Sequence, residues 1–442
     1  MLYPRRYLPQ TRSRIPDMVT LVLGLVFLAL ALVGTPLFAI ISLIAITAFY
    51  FAGIDSAAVI VELYRIAKQP ILLAIPLFTF AGFLLAESKT PRRLVNLSQA
   101  FFGWMPGGTS VVAVVSCAIF TAFTGASGVT IVALGGLLYP VLLKENYPDK
   151  FALGVLTASG DLGLLFPPSL PIILYGLVSG VNIDKLFIAG ILPGALLIFI
   201  LSAYNIFYVR DLKLPTSPFS LRRAAKAMRE AAWEIPLPFI ILIGIYGGFF
   251  TATEAAAVTA FYVLVVEVFI YRDIHIFRDL PRVMRDSMVL VGGILVILGA
   301  ALGLANYLVD EEIPMRILDF MRHFITSKAV FLITLNIFLL VVGAMMDIFS
   351  AIMVVVPLII PIAKTFGVDP VHLGIIFLTN LGIGYLTPPV GINLFIASFR
   401  FNQPILKLYR AAFPFLIMLL IALIIITYFP QVSLFLVRFF SS

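Results

Sequence analysis

Several hydroxyl side chains in this apolar chain stand beside glycines and prolines, a pairing that suits the binding of Na⁺. Na⁺ is a hard cation, and membrane proteins hold it with hydroxyls and with backbone carbonyls that an unwound helix leaves free. Glycine and proline free such carbonyls because they interrupt helices. The sequence therefore predicts sodium ligands at Ser127, Thr130, Ser159, Gly160, Asp347, Asn380, Gly384 and Thr387.

Each of these side chains also has a structural interpretation. Serine and threonine hydroxyls bond back to carbonyls of their own helix, and their small size lets helices pack closely. Asp347 follows a glycine-containing segment, where it either supports an ion site or caps a helix N-terminus. Asp161, six residues before a proline pair, stays divided between ion coupling and a structural polar bond.

Two Pro-Pro pairs indicate where an anion would bind. Pro167-Pro168 and Pro388-Pro389 lie inside apolar segments, and each pair removes backbone donors and ends the preceding helix. The helices that restart there present positive N-terminal ends, each of which stabilises a carboxylate by about 0.3 to 2 kcal/mol. The predicted substrate contacts are Gly125, Ser127, Pro168, Pro389 and Asn393. For Asn393, a structural hydrogen bond is the alternative.

The two proline pairs occupy corresponding places in two halves of the chain. They stand half a chain length apart, and the same offset carries Gly163 onto Gly384. Helix breaks are tolerated at membrane depth only where the freed backbone faces protein or a water-filled cavity. Broken helices in corresponding positions of two halves point to the substrate site of a secondary transporter.

Composition places the chain in a membrane. Of its 442 residues, 62% are hydrophobic and only 12% are charged, and the mean hydropathy is +1.11. Apolar runs of about 20 residues, long enough to span a bilayer, recur throughout. The net charge of +8 comes mostly from short connecting stretches, which indicates contact with anionic lipid rather than nucleic acid. The sequence has no phosphate-cradling glycine motif, metal-ligand spacing or nucleophile motif, so we expect neither an ATPase nor an enzyme.

The least apolar internal stretch divides the chain. In residues 210–234, Leu221 and Met228 recur at helical spacing opposite basic side chains, which predicts an amphipathic connector at the membrane surface. The alternative is one polar loop among several. The predicted segments are a basic N-terminal segment 1–17, a first inverted repeat 18–209 with a hairpin and broken helix at about 109–180, the connector 210–234, and a second inverted repeat 235–442 with a hairpin and broken helix at about 343–398 and a final span.

Five segments resemble the large membrane subunit of tripartite ATP-independent periplasmic (TRAP) transporters, the dicarboxylate- and sialate-type permeases. The resemblance rests on several motifs in the right order and covers nearly everything from about residue 71 onwards. The motifs are FTGASGVTIVALGGLLYP at 123–140, TASGDLGLLFPPSLPIILYG at 157–176, GGFFTATEAAAV at 247–258, GAMMDIFSAIMVVVPLIIPIA at 343–363 and NLGIGYLTPPVGINLFIAS at 380–398.

The resemblance implies an all-α polytopic protein of the bacterial inner membrane, with an inverted-repeat, elevator-type fold that contains two re-entrant helical hairpins and two broken helices. It implies sodium-driven import of an organic anion, such as a C4-dicarboxylate or sialate, without an organic cofactor. The implied partners are a small four-helix membrane subunit and a periplasmic solute-binding protein. A stand-alone sodium- or proton-coupled dicarboxylate symporter of similar fold is the alternative.

One departure from the family pattern affects the predicted sites. Many members carry two adjacent serines after the first glycine, whereas Gly125 is followed here by Ala126. Because alanine offers no side-chain oxygen, coordination at this point would depend on Ser127, Thr130 and backbone carbonyls.

Overall fold

The computed structural model describes residues 37–51, 68–212, 218–312 and 327–441, with isolated positions before and between these ranges. All regular secondary structure within these residues is helical, as predicted. Seven helices are long and apolar enough to cross a membrane, and one bent pair raises this to eight among the described residues. The predicted N-terminal segment 1–17 lies outside them.

The helices are numbered here in chain order. They are α1 Leu37–Phe51, α2 Ala74–Glu87, α3 Thr90–Phe102, α4 Gly108–Thr124, α5 Ser127–Lys144, α6 Asp149–Ala158, α7 Leu170–Ser179, α8 Ile183–Val209, α9 Leu221–Glu230, α10 Pro236–Tyr246, α11 Ala252–Ile270, α12 Leu280–Asp310, α13 Lys328–Met345, α14 Ile348–Thr365, α15 Pro370–Gly384, α16 Ile392–Phe401, α17 Ile405–Tyr428 and α18 Pro430–Ser441. Short 3₁₀ turns cover Pro70–Leu73 and Leu162–Leu165, and π turns lie within α5 and α11.

Local sequence explains where several helices begin. The Thr251 hydroxyl accepts a bond from the Glu254 backbone while the Glu254 carboxylate accepts one from Thr251, which is the capping box that starts α11. The Asn182 side chain caps α8 in a similar way.

Each half of the chain contains a helical hairpin and a broken helix. Helices α4 and α5 meet at Gly125-Ala126, and helices α13 and α14 meet at Met346-Asp347. Between α6 and α7 the chain passes Pro167-Pro168 and turns by 46°. Between α15 and α16 it passes Pro388-Pro389, and both Pro-Pro bonds are cis. In each half, a hairpin is therefore followed by a helix that stops and restarts.

The helices form two packed groups. The scaffold group consists of α1, α2, α11 and α12, which pack on one another. The hairpin group consists of the two hairpins and the helices that pack on them: α6 and α17, α13 and α15, α7 and α14, and α5 and α16. The groups meet where α2 packs on α4 and α7, and where α12 packs on α14. The hairpins therefore adjoin helices outside their own group.

The connector helix α9 has two different faces. Ala224 and Ala227 are buried, and α9 packs on α3, because alanine permits close approach of two backbones. Leu221 and Met228, the apolar side chains that predict the connector, are exposed.

A buried charge cluster ties the connector to the scaffold group. The Arg93 guanidinium of α3 pairs with Glu234, with Asp273 at 2.5 Å and with Glu267 at 3.0 Å. Burial opposes ionisation of Asp273, but hydrogen bonds from Lys89 and Arg93 hold its pKa below the ordinary value. This cluster fixes α3 against the end of the connector and the end of α11.

Candidate functional site

The tip of the first hairpin is built on a left-handed glycine. Gly125 ends α4 with a φ of 65°, a conformation that side chains other than glycine rarely adopt. A Cβ at this position would lie 3.0 Å from the Leu170 side chain in the first turn of α7. The predicted contact Gly125 therefore faces the helix that restarts after Pro168.

A hydrogen bond joins this tip to the other half of the chain. The Ser127 hydroxyl donates to Asn393 Oδ1 over 2.8 Å, and both side chains are buried. Asn393 lies in the first turn of α16, directly after the second proline pair. Its Nδ2 has no hydrogen-bond partner among the described residues. Ser127 and Asn393 thus come together, with one amide donor left for another acceptor.

Oxygen atoms also collect between the first hairpin and the first break. The Thr121 hydroxyl donates to the Gly160 carbonyl over 2.7 Å and lies 2.7 Å from the Thr130 hydroxyl. The Ser127 carbonyl lies 3.4 Å from where a Cβ of Gly160 would stand. Neutral hydroxyl and carbonyl oxygens of this kind are suitable ligands for Na⁺.

Sequence reasoning missed Thr121 in this cluster. Thr121 precedes Gly125 by one helical turn and therefore lies on the same face of α4. This spacing was the sequence feature that could have identified Thr121 as a candidate. Recognising it also required the contact with Gly160, which lies 39 residues away.

Two other predicted sodium ligands bond along their own helices. The Ser159 hydroxyl donates to the Val155 carbonyl over 2.6 Å, and the Thr387 hydroxyl donates to the Ile383 carbonyl over 3.1 Å. These bonds match the structural interpretation of such residues. They engage the hydroxyl hydrogens and leave oxygen lone pairs available.

The second hairpin closes on the second break through backbone bonds. The Gly391 amide donates to the Ala344 carbonyl over 3.1 Å, and the Ile348 amide donates to the Tyr385 hydroxyl over 2.5 Å. Asp347 caps α14, because its Oδ1 accepts the amides of the second and third residues after it, both over 3.0 Å. The capping role that the sequence left open for Asp347 is therefore present.

A close glycine contact seats this hairpin on α15. A Cβ on Gly384 would lie 2.6 Å from the Gly343 backbone, a distance that real side chains do not show. One helical turn before Gly384, the Asn380 amide donates to Asn336 Oδ1 and to the Ile376 carbonyl, both over 2.8 Å. Its Oδ1 is buried without a partner among the described residues. Asn380 is therefore a predicted ligand of this half whose side-chain oxygen accepts no hydrogen bond among the described residues.

Asp161 lies where the two halves meet. Asp161 is buried, and its Oδ1 has no hydrogen-bond partner among the described residues. Oδ2 stands 2.8 Å from where a Cβ of Gly382 would lie, so glycine leaves room for the carboxyl group. A cavity of about 20 Å³ adjoins both residues and has space for about one water molecule.

A larger cavity of about 450 Å³ separates the first hairpin from the scaffold group. Gly128, Val132 and Ile396 line the wall formed by α5 and α16. Glu87 and Arg282 line the opposite wall formed by α2 and α12. A cavity of this size accommodates a small organic molecule.

This constellation of hairpins and broken helices has counterparts among known proteins. Residues 21–432 match the family described as "Tripartite ATP-independent periplasmic transporter, DctM component". The chain belongs to this family. It is a large membrane subunit of a TRAP transporter, it lies in the inner membrane as a multi-pass protein, and it is not an enzyme. Its partners are a small membrane subunit and a periplasmic binding protein, and this membership decides against the stand-alone symporter.

Individual relatives agree with this assignment. The chain is 38% identical to the C4-dicarboxylate TRAP transporter large permease protein DctM of Pseudomonas aeruginosa, over 88% of this chain and 91% of that protein. It is 36% identical to the isethionate TRAP transporter permease protein DctMQ of Oleidesulfovibrio alaskensis, over 92% of this chain and 65% of that protein.

A solved structure is similar in fold. The YdaH transporter of Alcanivorax borkumensis superimposes with a TM-score of 0.60, covering 84% of this chain and 87% of that one, at 14% identity. The fold class predicted from the sequence, a helical transporter, is confirmed.

Proposed function

We propose that this TRAP subunit imports a small organic anion with a sodium gradient, by an elevator movement of the hairpin group against the scaffold group. The observation that carries the proposal is the Ser127–Asn393 bond, which joins the first hairpin to the restarted helix of the other half. It lies beside the 450 Å³ cavity, because Gly128 and Ile396 are cavity residues close to it in the chain. The pair would bind an anion because the Ser127 hydroxyl occupies Asn393 Oδ1 and leaves the Asn393 Nδ2 donor for the anion.

Three groups would bind the anion at this point. The Nδ2 of Asn393, which has no partner within the described part of the chain, supplies a donor, and the N-termini of α7 and α16 supply positive ends. Pro168 and Pro389 immediately precede these helix starts, which is why both are proposed as substrate contacts. C4-dicarboxylates and isethionate, the cargoes named for the two relatives, are small organic anions of the kind such a site would take.

Sodium would bind on either side of the anion. In the first half, Ser127, Thr130 and Gly160 supply oxygens close to the hairpin tip, and Ser159 lies beside them in the chain. In the second half, the candidate ligands are Asn380, Gly384, Thr387 and Asp347. Because Na⁺ at these positions would hold each hairpin against its break, ion binding would order the anion site.

The membrane potential would contribute to the accumulation of a monovalent anion such as isethionate. Two Na⁺ ions with one monovalent anion carry one net positive charge across the membrane. A charge moving through 100 mV releases about 2.3 kcal/mol, equivalent to roughly fiftyfold accumulation before the concentration gradient of Na⁺ is counted.

The proposal is tested in proteoliposomes that contain this chain with its small membrane subunit. Uptake of labelled succinate or isethionate, supplied with the binding protein, is measured under an inward sodium gradient and under an equal potassium gradient. We expect uptake under the sodium gradient alone. Equal uptake under both gradients would refute sodium coupling, and equal uptake without the binding protein would refute delivery of the anion by that partner.

A further inference from the structure

We propose that Arg282 is a substrate-binding residue, which contacts the transported anion from the scaffold side of the cavity. This inference rests on the proposed function. The substrate contacts at Gly125, Ser127 and Asn393 are neutral, so none of them balances the charge of an anion that leaves water. Arg282 is the basic side chain of the cavity wall that also holds Glu87 and Asp286. It lies opposite Gly128 and Ile396, which are close in the chain to Ser127 and Asn393.

The position of Arg282 suits this role. It lies near the start of α12, in the scaffold group, while Gly128 and Ile396 line the same cavity from the hairpin group. Gly128 follows Ser127 in the chain, and Ile396 lies one helical turn after Asn393. An anion that leaves the Ser127–Asn393 pair by this cavity therefore passes the guanidinium.

Arg282 has unused binding capacity. Its Nη2 pairs with Glu87 and lies 4.0 Å from Asp279, and about half of the side chain is exposed. A guanidinium carries five N–H donors in a planar fork, and the recorded pairs engage a single nitrogen. Carboxylate and sulfonate groups both present paired oxygens to such a fork. The incoming anion would take a place beside Glu87 or would replace it.

Glu87 is then a competitor for the guanidinium. Its carboxylate pairs with Arg282 and joins α2 to α12. When an anion enters, it either binds the free N–H groups beside Glu87 or replaces the Glu87 carboxylate in an exchange, and the displaced carboxylate is then hydrated because it is partly exposed. This exchange separates the proposal from a purely structural ion pair, because the two roles predict different effects of removing Glu87.

The test compares Arg282→Gln, Glu87→Gln and the control Arg278→Gln in the complete transporter. Arg278 is exposed, stands four residues earlier and does not line the cavity. The apparent KM for succinate and for isethionate is measured in proteoliposomes at saturating sodium. We expect about a tenfold higher KM for Arg282→Gln, partial rescue by Arg282→Lys, a KM lowered several-fold for Glu87→Gln, and no change for the control.

Two results would overturn the proposal. Equal increases of KM in Arg282→Gln and Glu87→Gln would identify a structural pair. An unchanged KM in Arg282→Gln, with wild-type thermal stability in detergent, would show that the guanidinium does not contact the anion. The half-activating sodium concentration is measured in parallel, and a wild-type protein without sodium activation would contradict the proposed function instead.

Discussion

Replacing Thr121 by valine should weaken sodium activation. The Thr121 hydroxyl joins the first hairpin to the first break through the Gly160 carbonyl and the Thr130 hydroxyl, each at 2.7 Å. Valine keeps the branched shape but has no hydroxyl, so both partners lose a hydrogen bond in a buried position. The oxygen cluster that we propose for Na⁺ would then lose its fixed geometry.

The expected size follows from the cost of these losses. A buried polar group that loses its partner costs about 1 to 3 kcal/mol. Where this cost falls on the sodium-bound state, the half-activating sodium concentration should rise by roughly fivefold to a hundredfold, because about 1.4 kcal/mol corresponds to a factor of ten in a binding constant. The maximal uptake rate at saturating sodium should change less, because the anion contacts remain.

The assay is uptake as a function of sodium concentration in proteoliposomes with a saturating amount of loaded binding protein. Thr121→Ser should restore most of the sodium affinity, because serine keeps the hydroxyl. Thr157→Val is the matched control, since this buried threonine bonds to the Leu153 carbonyl of its own helix. A half-activating concentration within twofold of wild type in Thr121→Val, with normal stability, would refute the reasoning.

Three further changes have distinct expected outcomes. Gly384→Ala should abolish most uptake, because the new Cβ would lie 2.6 Å from the Gly343 backbone and would have to move by about 0.8 Å to reach ordinary contact. Gly292→Ala is the control for this variant, since nothing lies within 4 Å of a Cβ there. Equal uptake by the two variants would contradict the close packing of the hairpin on α15. Arg93→Gln should lower stability in a thermal unfolding assay by about 3 to 5 kcal/mol, because the buried carboxylates of Glu234 and Glu267 lose their cation and Asp273 keeps only Lys89. Lys89→Gln, whose side chain is 71% exposed, should cost at most about 1 kcal/mol, and similar unfolding temperatures for the two variants would refute the difference. Gly382→Ala should impair uptake more than Gly292→Ala, because Asp161 occupies the space of the new methyl group, and matched rates would show that the carboxyl group moves freely.

Much of the fold follows from local rules. The proline pairs predict both helix breaks, because two adjacent prolines remove two backbone donors and push the preceding residue out of the helical region. A single proline is a weaker signal, since Pro140, Pro193 and Pro414 lie inside continuous helices. The Thr251–Glu254 capping box predicts the start of α11 for a similar reason. Such features depend on residues a few positions apart, and one sequence is enough to recognise them.

The site depends on contacts that local rules do not reach. Ser127 and Asn393 can each be identified as candidates, because they are polar residues beside helix breaks. Their hydrogen bond, however, joins positions that lie 266 residues apart. The role of Thr121 depends on Gly160 in another helix, and the room for Asp161 depends on the missing side chain of Gly382. Side-chain type identified candidates, while tertiary packing decided which of them meet.

The contacts of α16 explain why the first hairpin should move together with the second half. Asn393, Ile396 and Arg400 recur at helical spacing along one face, and each meets a successive part of α5. Asn393 bonds to Ser127, Ile396 packs on Gly128, and the Arg400 Nε donates to the Val132 carbonyl over 2.8 Å. That carbonyl lies in a π turn, where an unusual helix register offers it to a side chain. Because three contacts over two helical turns must break before the hairpin can separate from α16, a gate formed by the hairpin alone is disfavoured. The contacts favour movement of the hairpin group as one body, which is the elevator movement that we propose.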